Sequence, residues 1–343
     1  MTANDQLISK YTDEIDSYEM SVLAAIGFLN FFRYDDRAKA MSGKSKIWQG
    51  RKMKTSSANK ISPNTDVTPD LVIQVDEKNG VLAEIKYSFP MDQAHWTDDF
   101  DQLKSYDDDL LNWDTPNKKI AGHEIVLLPE QSRAVAVRKF YEKLSEKGDF
   151  IKKNFAIVEF NRADQGKAFL FFRIQYGELK SAPELNTRLQ NGIKVHIEKL
   201  FLSYAKCKIY DSKPPMPYLL NLIWEAVVIA KASGDPKFSH LRRNGTIHVD
   251  VTLEEIKQEL AQSYSFRPIN SDNRLHSDIP LNWIREAMEI LVSAELAEWK
   301  DTAHTEATVS FKKYARTIDA FKQICAEHQK ATDEESGQMR LFK

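Results

Sequence analysis

Thr68-Pro-Asp-Leu-Val-Ile-Gln-Val75 and, after a short polar gap, Val81-Leu-Ala-Glu-Ile-Lys-Tyr87 are the two stretches from which the rest of the chain can be read. Both are dominated by aliphatic and β-branched residues and bounded by turn formers, the pattern of buried strands. Asn79-Gly80 between them predicts a hairpin. Towards the N-terminus, Thr12 to Arg33 places Ile15, Val22, Leu23, Ile26, Leu29 and Phe32 close to one helical stripe. Between that helix and the strands, Gly43 to Lys60 carries Lys44, Lys46, Arg51, Lys52, Lys54 and Lys60 without an acid, and reads as a loop or mobile arm. Towards the C-terminus, Trp96 to Leu110 is helix-like, Glu124-Ile-Val-Leu-Leu is a buried strand and Ser132 to Lys147 an amphipathic helix. Phe155 to Phe160 and Ala168 to Ile174 supply two more strands. The order helix, hairpin, helix, strand, helix, strands predicts an α/β layer domain with a mixed sheet.

Within this frame Asp70, Glu84 and Lys86 carry the chemistry. Glu84 and Lys86 lie two apart on a strand, so both side chains leave the same face. Two carboxylates and a backbone carbonyl offer hard oxygens to Mg²⁺ or Mn²⁺ and leave positions open for water and phosphate. A lysine beside them can orient an attacking water or steady the charge that builds on phosphorus.

These residues resemble the PD-(D/E)xK nuclease superfamily of restriction enzymes and RecB-type nucleases, with the motif standing here as Pro69-Asp70 … Glu84-Ile85-Lys86. The resemblance spans roughly residues 10 to 180. It implies a restriction-endonuclease-like mixed sheet flanked by helices and a metal-dependent DNA endonuclease, serving restriction, repair or recombination, or phage defence. It further implies that Asp70 and Glu84 are metal ligands, that the Ile85 carbonyl is a third, and that Lys86 is catalytic. The acidic residue that such enzymes often carry on the first helix is assigned to Glu19, with Glu14 as runner-up. Gln102-Leu-Lys-Ser-Tyr106 resembles the Gln-x-x-x-Tyr of RecB-like members, and its two polar residues share a helical face. A catalytically inactive DNA-binding or adaptor protein on the same fold, and an RNA nuclease, are the alternatives. A tight turn at Asn79-Gly80 would pair Val75 with Glu84 and strand Asp70 far along the ladder. The site therefore needs a longer loop around Glu77, or strands that splay or bulge.

The chain has 343 residues, which favours two domains. Three prolines in Ser212-Lys-Pro-Pro-Met-Pro mark the boundary. We read residues 1–211 as the nuclease-like domain, 212–331 as a mostly helical winged-helix-like domain and 332–343 as a flexible tail. The middle assignment rests on the order helix (Tyr218 to Ala232), strand (Thr246 to Val251), helix, helix (Leu281 to Leu296), hairpin. A capping box, Thr252-Leu-Glu-Glu255, opens the second of those helices. The 48 basic and 50 acidic residues nearly cancel, so local clusters must mark a DNA partner. One is the arm with Lys44, Lys46, Trp48, Arg51, Lys52 and Lys54, suited to backbone contact with base stacking; Arg242 and Arg243 form another. The third helix of the second domain carries Arg285 but also Glu286 and Glu289, which suits a protein contact or a homodimer as well as it suits DNA.

The tail, acidic at 333–335, ends in Gln338-Met-Arg-Leu-Phe342-Lys and resembles the peptide with which bacterial proteins bind the sliding clamp. Leu341 and Phe342 would fill an apolar pocket while Gln338 bonds at its rim. No run of about 18 apolar residues predicts a membrane span. Two distant cysteines, Cys207 and Cys325, and a start without an apolar signal segment lead us to expect a reducing, cytoplasmic setting. Eight histidines without HExxH, and the lack of GxxxxGK[ST] or GxGxxG, argue against a zinc hydrolase and a nucleotide-binding loop.

Overall fold

The computed structural model describes residues 3–33, 45–55, 66–87, 89, 96–146, 148, 150–164, 168–198, 212–241, 245–264, 279–312 and 317–341, with 3, 33, 164 and 334–341 described by backbone alone. Two compact units emerge: Glu19–Asp211 with Phe266–Ser277, and Met1–Tyr18 with Ser212–Ser265 and Asp278–Lys343. One division thus falls between Asp211 and Ser212. Residues 1–18 cluster with the C-terminal unit, although sequence order assigns them to the N-terminal domain. Tyr11 and Tyr18 show why: their hydroxyls donate to Gln329 Oε1 (3.0 Å) and the Ser212 carbonyl (3.3 Å). Both residues belong to α1 (Ala3–Arg33), whose remaining turns pack in the other unit.

In that first unit a seven-stranded sheet is built from β1 (Lys46–Gln49), β4 (Leu71–Gln74), β5 (Asn79–Lys86), β7 (Gly122–Pro129), β8 (Phe155–Asp164), β9 (Ala168–Tyr176) and β10 (Ile193–His196), in that spatial order. A small three-stranded sheet is formed by β2 (Met53–Thr55), β3 (Asp66–Val67) and β6 (Leu110–Leu111). The β5–β7 and β7–β8 pairs are parallel and the other pairs of the large sheet antiparallel. Strands β4, β5 and β7 are buried almost end to end, as strands covered on both faces must be.

The covers are α1 on one face and α2 (Trp96–Ser105) with α3 (Gln131–Ser145) on the other. Gly27 of α1 lets the helix approach β9 so closely that a Cβ there would lie 2.8 Å from the Phe172 ring, and Phe31 meets that ring edge-on at 5.1 Å. On the opposite face α2 and α3 join through Trp96–Phe140 and Phe100–Phe140, each 5.5 Å between centroids. The α4 helix (Pro183–Asn191) leads into β10. The fold is thus a mixed α/β arrangement, a mixed sheet flanked by helices.

Three sequence expectations are corrected here. The basic arm is partly structure: Lys46–Gln49 form an edge strand paired antiparallel with β4, because Ile47 and Trp48 supply apolar side chains that the sheet buries. Trp48 is 5% exposed and under the Arg51 guanidinium, 4.4 Å from its ring centroid, so it is not offered to a base. Asn79-Gly80 is not the hairpin turn. The turn is Val75–Asn79, closed by the Val75 amide donating to the Asn79 carbonyl (2.9 Å) and organised by Asp76, whose Oδ1 accepts from the Lys78 and Asn79 amides. Gly80 lies inside β5 because the Trp113 ring occupies the place of its side chain. Finally, the helix expected to reach Leu110 stops at Ser105, and Leu110–Leu111 turn back to pair with β2.

The second unit runs α5 (Met216–Ile223), a π-helical turn (Trp224–Val228), α6 (Ile229–Gly234), β11 (Ile247–Thr252), α7 (Leu253–Ser263), α8 (Leu281–Ser293), β12 (Ala297–Trp299), β13 (Glu306–Phe311) and α9 (Ile318–Leu341). The three strands form an antiparallel sheet ordered β11-β13-β12. Thr252 caps α7 by accepting the Glu255 amide at 3.1 Å, as its capping box requires. Trp224 packs against Phe311 and Phe321 in the core. The α9 helix continues to Leu341, through the acidic stretch where the sequence suggests a flexible tether. Among the described residues no helix is long and apolar enough to cross a membrane.

Candidate active site

Loop length decides whether the carboxylates meet. With the turn at Val75–Asn79, β4 and β5 pair Leu71 with Ala83, and the next step along the ladder sets Asp70 against Glu84. Asp70 Oδ2 accepts the Ile85 amide at 2.6 Å, which places that oxygen within about 5 Å of the Glu84 Cα given standard backbone dimensions. Glu84 and Lys86 point from β5 to the face that α2 covers. There Lys86 Nζ lies 3.3 Å from Glu84 Oε1, 3.1 Å from Asp99 Oδ1 and 3.3 Å from Gln102 Oε1.

Gln102 passes the chain of contacts on. Its Nε2 donates to Tyr106 Oη (2.9 Å), and the Tyr106 hydroxyl donates to Glu84 Oε2 (2.9 Å). Lys86, Gln102, Tyr106 and Glu84 thereby close a ring of hydrogen bonds, which fixes both oxygens of Glu84. Tyr106 is 1% exposed and itself held from behind, where buried His123 donates through Nε2 to the Tyr106 carbonyl at 2.7 Å. The Trp113 indole lies against His123. Burial holds the His123 imidazole down at about 4, so it is neutral at pH 7 and Nε2 carries its one proton.

The carboxylates are less comfortable. Glu84 is 3% exposed, and burial together with the neighbouring Asp70 charge pushes its pKa up to about 7 against the pull of Lys86 and Tyr106. Burial opposes the Lys86 charge, but Glu84 and Asp99 outweigh it and raise the ammonium above its ordinary range. The Tyr106 hydroxyl is raised as well, by burial and by Glu84, so it keeps its proton, accepting from Gln102 and donating to Glu84. Glu84 and Asp99 thus both pair with the Lys86 ammonium, and the Asp70 charge acts on it as well.

Among the described residues no group of three or more His, Cys, Asp or Glu side chains is arranged as an ion cage. Mg²⁺ asks for less, one or two carboxylates with the remaining positions filled by water, carbonyl oxygen and substrate phosphate. Asp70 and Glu84 fit that donor set. Ile85 contributes its amide to Asp70 and buries its side chain at 7% exposure.

Of the residues singled out from the sequence, Asp70, Glu84, Ile85, Lys86, Gln102 and Tyr106 converge. Glu19 lies exposed on α1, and Glu14, also on α1, pairs with Lys10. Lys46 pairs with Asp114 at 2.7 Å, and Arg51 donates to the Asn112 and Asp114 carbonyls. Both cations are thus occupied in bracing the 112–114 loop, while Lys52 and Lys54 are exposed. Lys44, Arg242, Arg243 and Phe342 lie outside the described residues, as do the side chains of Gln338 and Leu341. Asp99 is the member of the cluster that the sequence motif does not include. Its position three residues before Gln102 on one helix was the available signal.

No family model matches this chain, and neither curated proteins nor solved structures returned a match.

Proposed function

We propose that the sheet unit is a PD-(D/E)xK-type, Mg²⁺- or Mn²⁺-dependent phosphodiesterase acting on DNA, on a restriction-endonuclease-like fold. The observation that carries this reading is the charge surplus at one end of β5. Among the described residues Glu84 and Asp99 both pair with Lys86, in a half-buried place where a structural ion pair would need one carboxylate only. A divalent cation held by Asp70 and Glu84 would offset that surplus, polarise a phosphate oxygen and acidify a bound water.

The chain's own groups then have separate tasks. Lys86 remains an ammonium, so it acts as a donor and a fixed positive charge and not as a base: it holds the attacking water and steadies charge on the phosphate oxygens. Gln102 and Asp99 aim it. Tyr106 holds Glu84 in one rotamer while leaving it ionisable. In the second unit the order helix, strand, helix, helix, hairpin and the β11-β13-β12 sheet support a winged-helix-like reading. The exposed face of α8 pairs Glu286 with Lys213, which favours a protein contact there over phosphates.

Supercoiled, linear and single-stranded DNA incubated with the protein in Mg²⁺, Mn²⁺ or EDTA tests the reading. Cleavage with either cation and none in EDTA is expected. Intact DNA under every condition, across pH 6 to 9, would contradict it.

A further inference from the structure

On the face that bears Glu84 and Lys86, the sheet carries a second charged pair that the proposed chemistry does not use. Lys86 pairs with Pro129 of β7. The parallel β7–β8 ladder, Leu127 with Ile157 and then Glu130 with Phe160, sets Pro129 beside Glu159. Glu159 pairs in turn with Arg173 of β9. Lys86, Pro129, Glu159 and Arg173 thus form one row across four strands, and residues opposite one another in a sheet share a face. Three strand spacings of about 4.8 Å put the Lys86 and Arg173 backbones roughly 14 Å apart.

Glu159 is 1% exposed, and both Arg173 Nε (2.9 Å) and Nη2 (2.8 Å) reach its Oε1, while the Arg173 side chain is 44% exposed. The pair is therefore asymmetric, a buried carboxylate holding an arginine head that opens to solvent. A guanidinium has five N–H donors and Glu159 takes two. As a stabilising device the pair is poor, since a buried ion pair is generally matched by apolar residues of the same volume. As a way of fixing a guanidinium on a rigid strand it is effective, because the planar fork is already ordered when a phosphate arrives. One row further, Asn161 Nδ2 donates to Gln131 Oε1 at the start of α3, so a neutral polar pair continues the same edge of the sheet.

We infer that Arg173, positioned by Glu159, binds a backbone phosphate of the DNA strand being cut, about two nucleotides from the reacting phosphate. With about 3.4 Å of rise per nucleotide and the winding of the strand, successive phosphates of one duplex strand lie about 7 Å apart, so 14 Å spans about two of them. This rests on the nuclease reading above and adds a contact that sets where the strand lies.

The test compares the full-length parent with the double variant Glu159→Gln/Arg173→Gln, which removes both charges, keeps a hydrogen-bonded pair and leaves net charge unchanged. Expected are a parent-like Tm, kcat unchanged at saturating duplex, KM raised about 10-fold, and a slope of log KM against log salt that is smaller by about one. Arg173→Lys should retain that slope while raising KM less. A parallel readout uses the parent protein alone. In duplexes carrying one uncharged methylphosphonate at successive positions, KM should rise at a single position about two nucleotides from the cut. If the double variant does not fold, the methylphosphonate scan decides. A parent that cuts DNA while the double variant keeps KM and salt slope, or a scan flat outside the scissile phosphate, would reduce Glu159–Arg173 to an internal ion pair and leave the nuclease reading intact. A parent that cuts nothing would end the underlying reading instead.

Discussion

Glu84 sits 3% exposed beside a second carboxylate, and its folded-state pKa of about 7 lies well above its ordinary 4.5. Between pH 4.5 and 7 the folded chain therefore holds a proton that the unfolded chain releases, so this residue makes stability fall as pH rises through that window. Above pH 7 the whole penalty is present, on the order of 3 kcal/mol at about 1.4 kcal/mol per pKa unit. His123 acts in the opposite sense. Its folded value of about 4 lies below its ordinary 6.5, so its contribution is complete above pH 6.5 and is lost as pH falls towards 4. Glu84→Gln keeps the acceptor for Tyr106 and removes the buried charge. In EDTA at pH 8 this variant should unfold several degrees above the parent, the gap should close by pH 4.5, and added Mg²⁺ should raise the parent's Tm alone. Equal melting temperatures at pH 8 would mean that Glu84 is not strained by burial. The sequence makes Glu84 and Lys86 recognisable, because two residues on a strand share a face whatever surrounds them. It hides the burial, which comes from Tyr106, His123 and Trp113 arriving from other segments.

At the scale of elements, the register of β4 against β5 is what converts two distant acids into neighbours. Asn-Gly is a strong local turn signal, yet here the Asp76 side chain organises a longer loop and Gly80 is spent on clearance. A Cβ on Gly80 would fall 2.2 and 2.4 Å from Trp113 ring atoms and 2.8 Å from Ile120. Gly80→Ala should accordingly lower the urea midpoint by an amount equivalent to about 1–3 kcal/mol. It should also slow cleavage, since a displaced Trp113 bears on His123 and through it on Tyr106. An unchanged midpoint would restore Gly80 to an open turn. The strands themselves were readable because β4, β5 and β7 are continuous apolar runs. The edge strand β1 was not, because four residues, Lys46–Gln49, in a lysine-rich stretch give a composition signal stronger than their pattern.

The whole molecule divides into two units that share α1 and meet in sequence at Asp211 and Ser212. Prolines at 214, 215 and 217 made that division legible, whereas the assignment of residues 1–18 to the C-terminal unit depends on Tyr11 and Tyr18 finding partners more than 190 positions away. At the far end, the resemblance of Gln338–Phe342 to a clamp-binding peptide is tested by deleting residues 338–343: Tm and cleavage of short oligonucleotides should stay at parent values, and any capture of a bacterial sliding clamp should be lost. A parent that fails to bind its host's clamp at tens of micromolar would remove that partner. The account as a whole stands on the cluster at the end of β5, and one rate measures it. With Mg²⁺ and a saturating DNA substrate, Lys86→Ala should cut at least about 100-fold more slowly than the parent while binding DNA in Ca²⁺ equally well. A Lys86→Ala protein that cuts at the parent rate would contradict the assignment of this site.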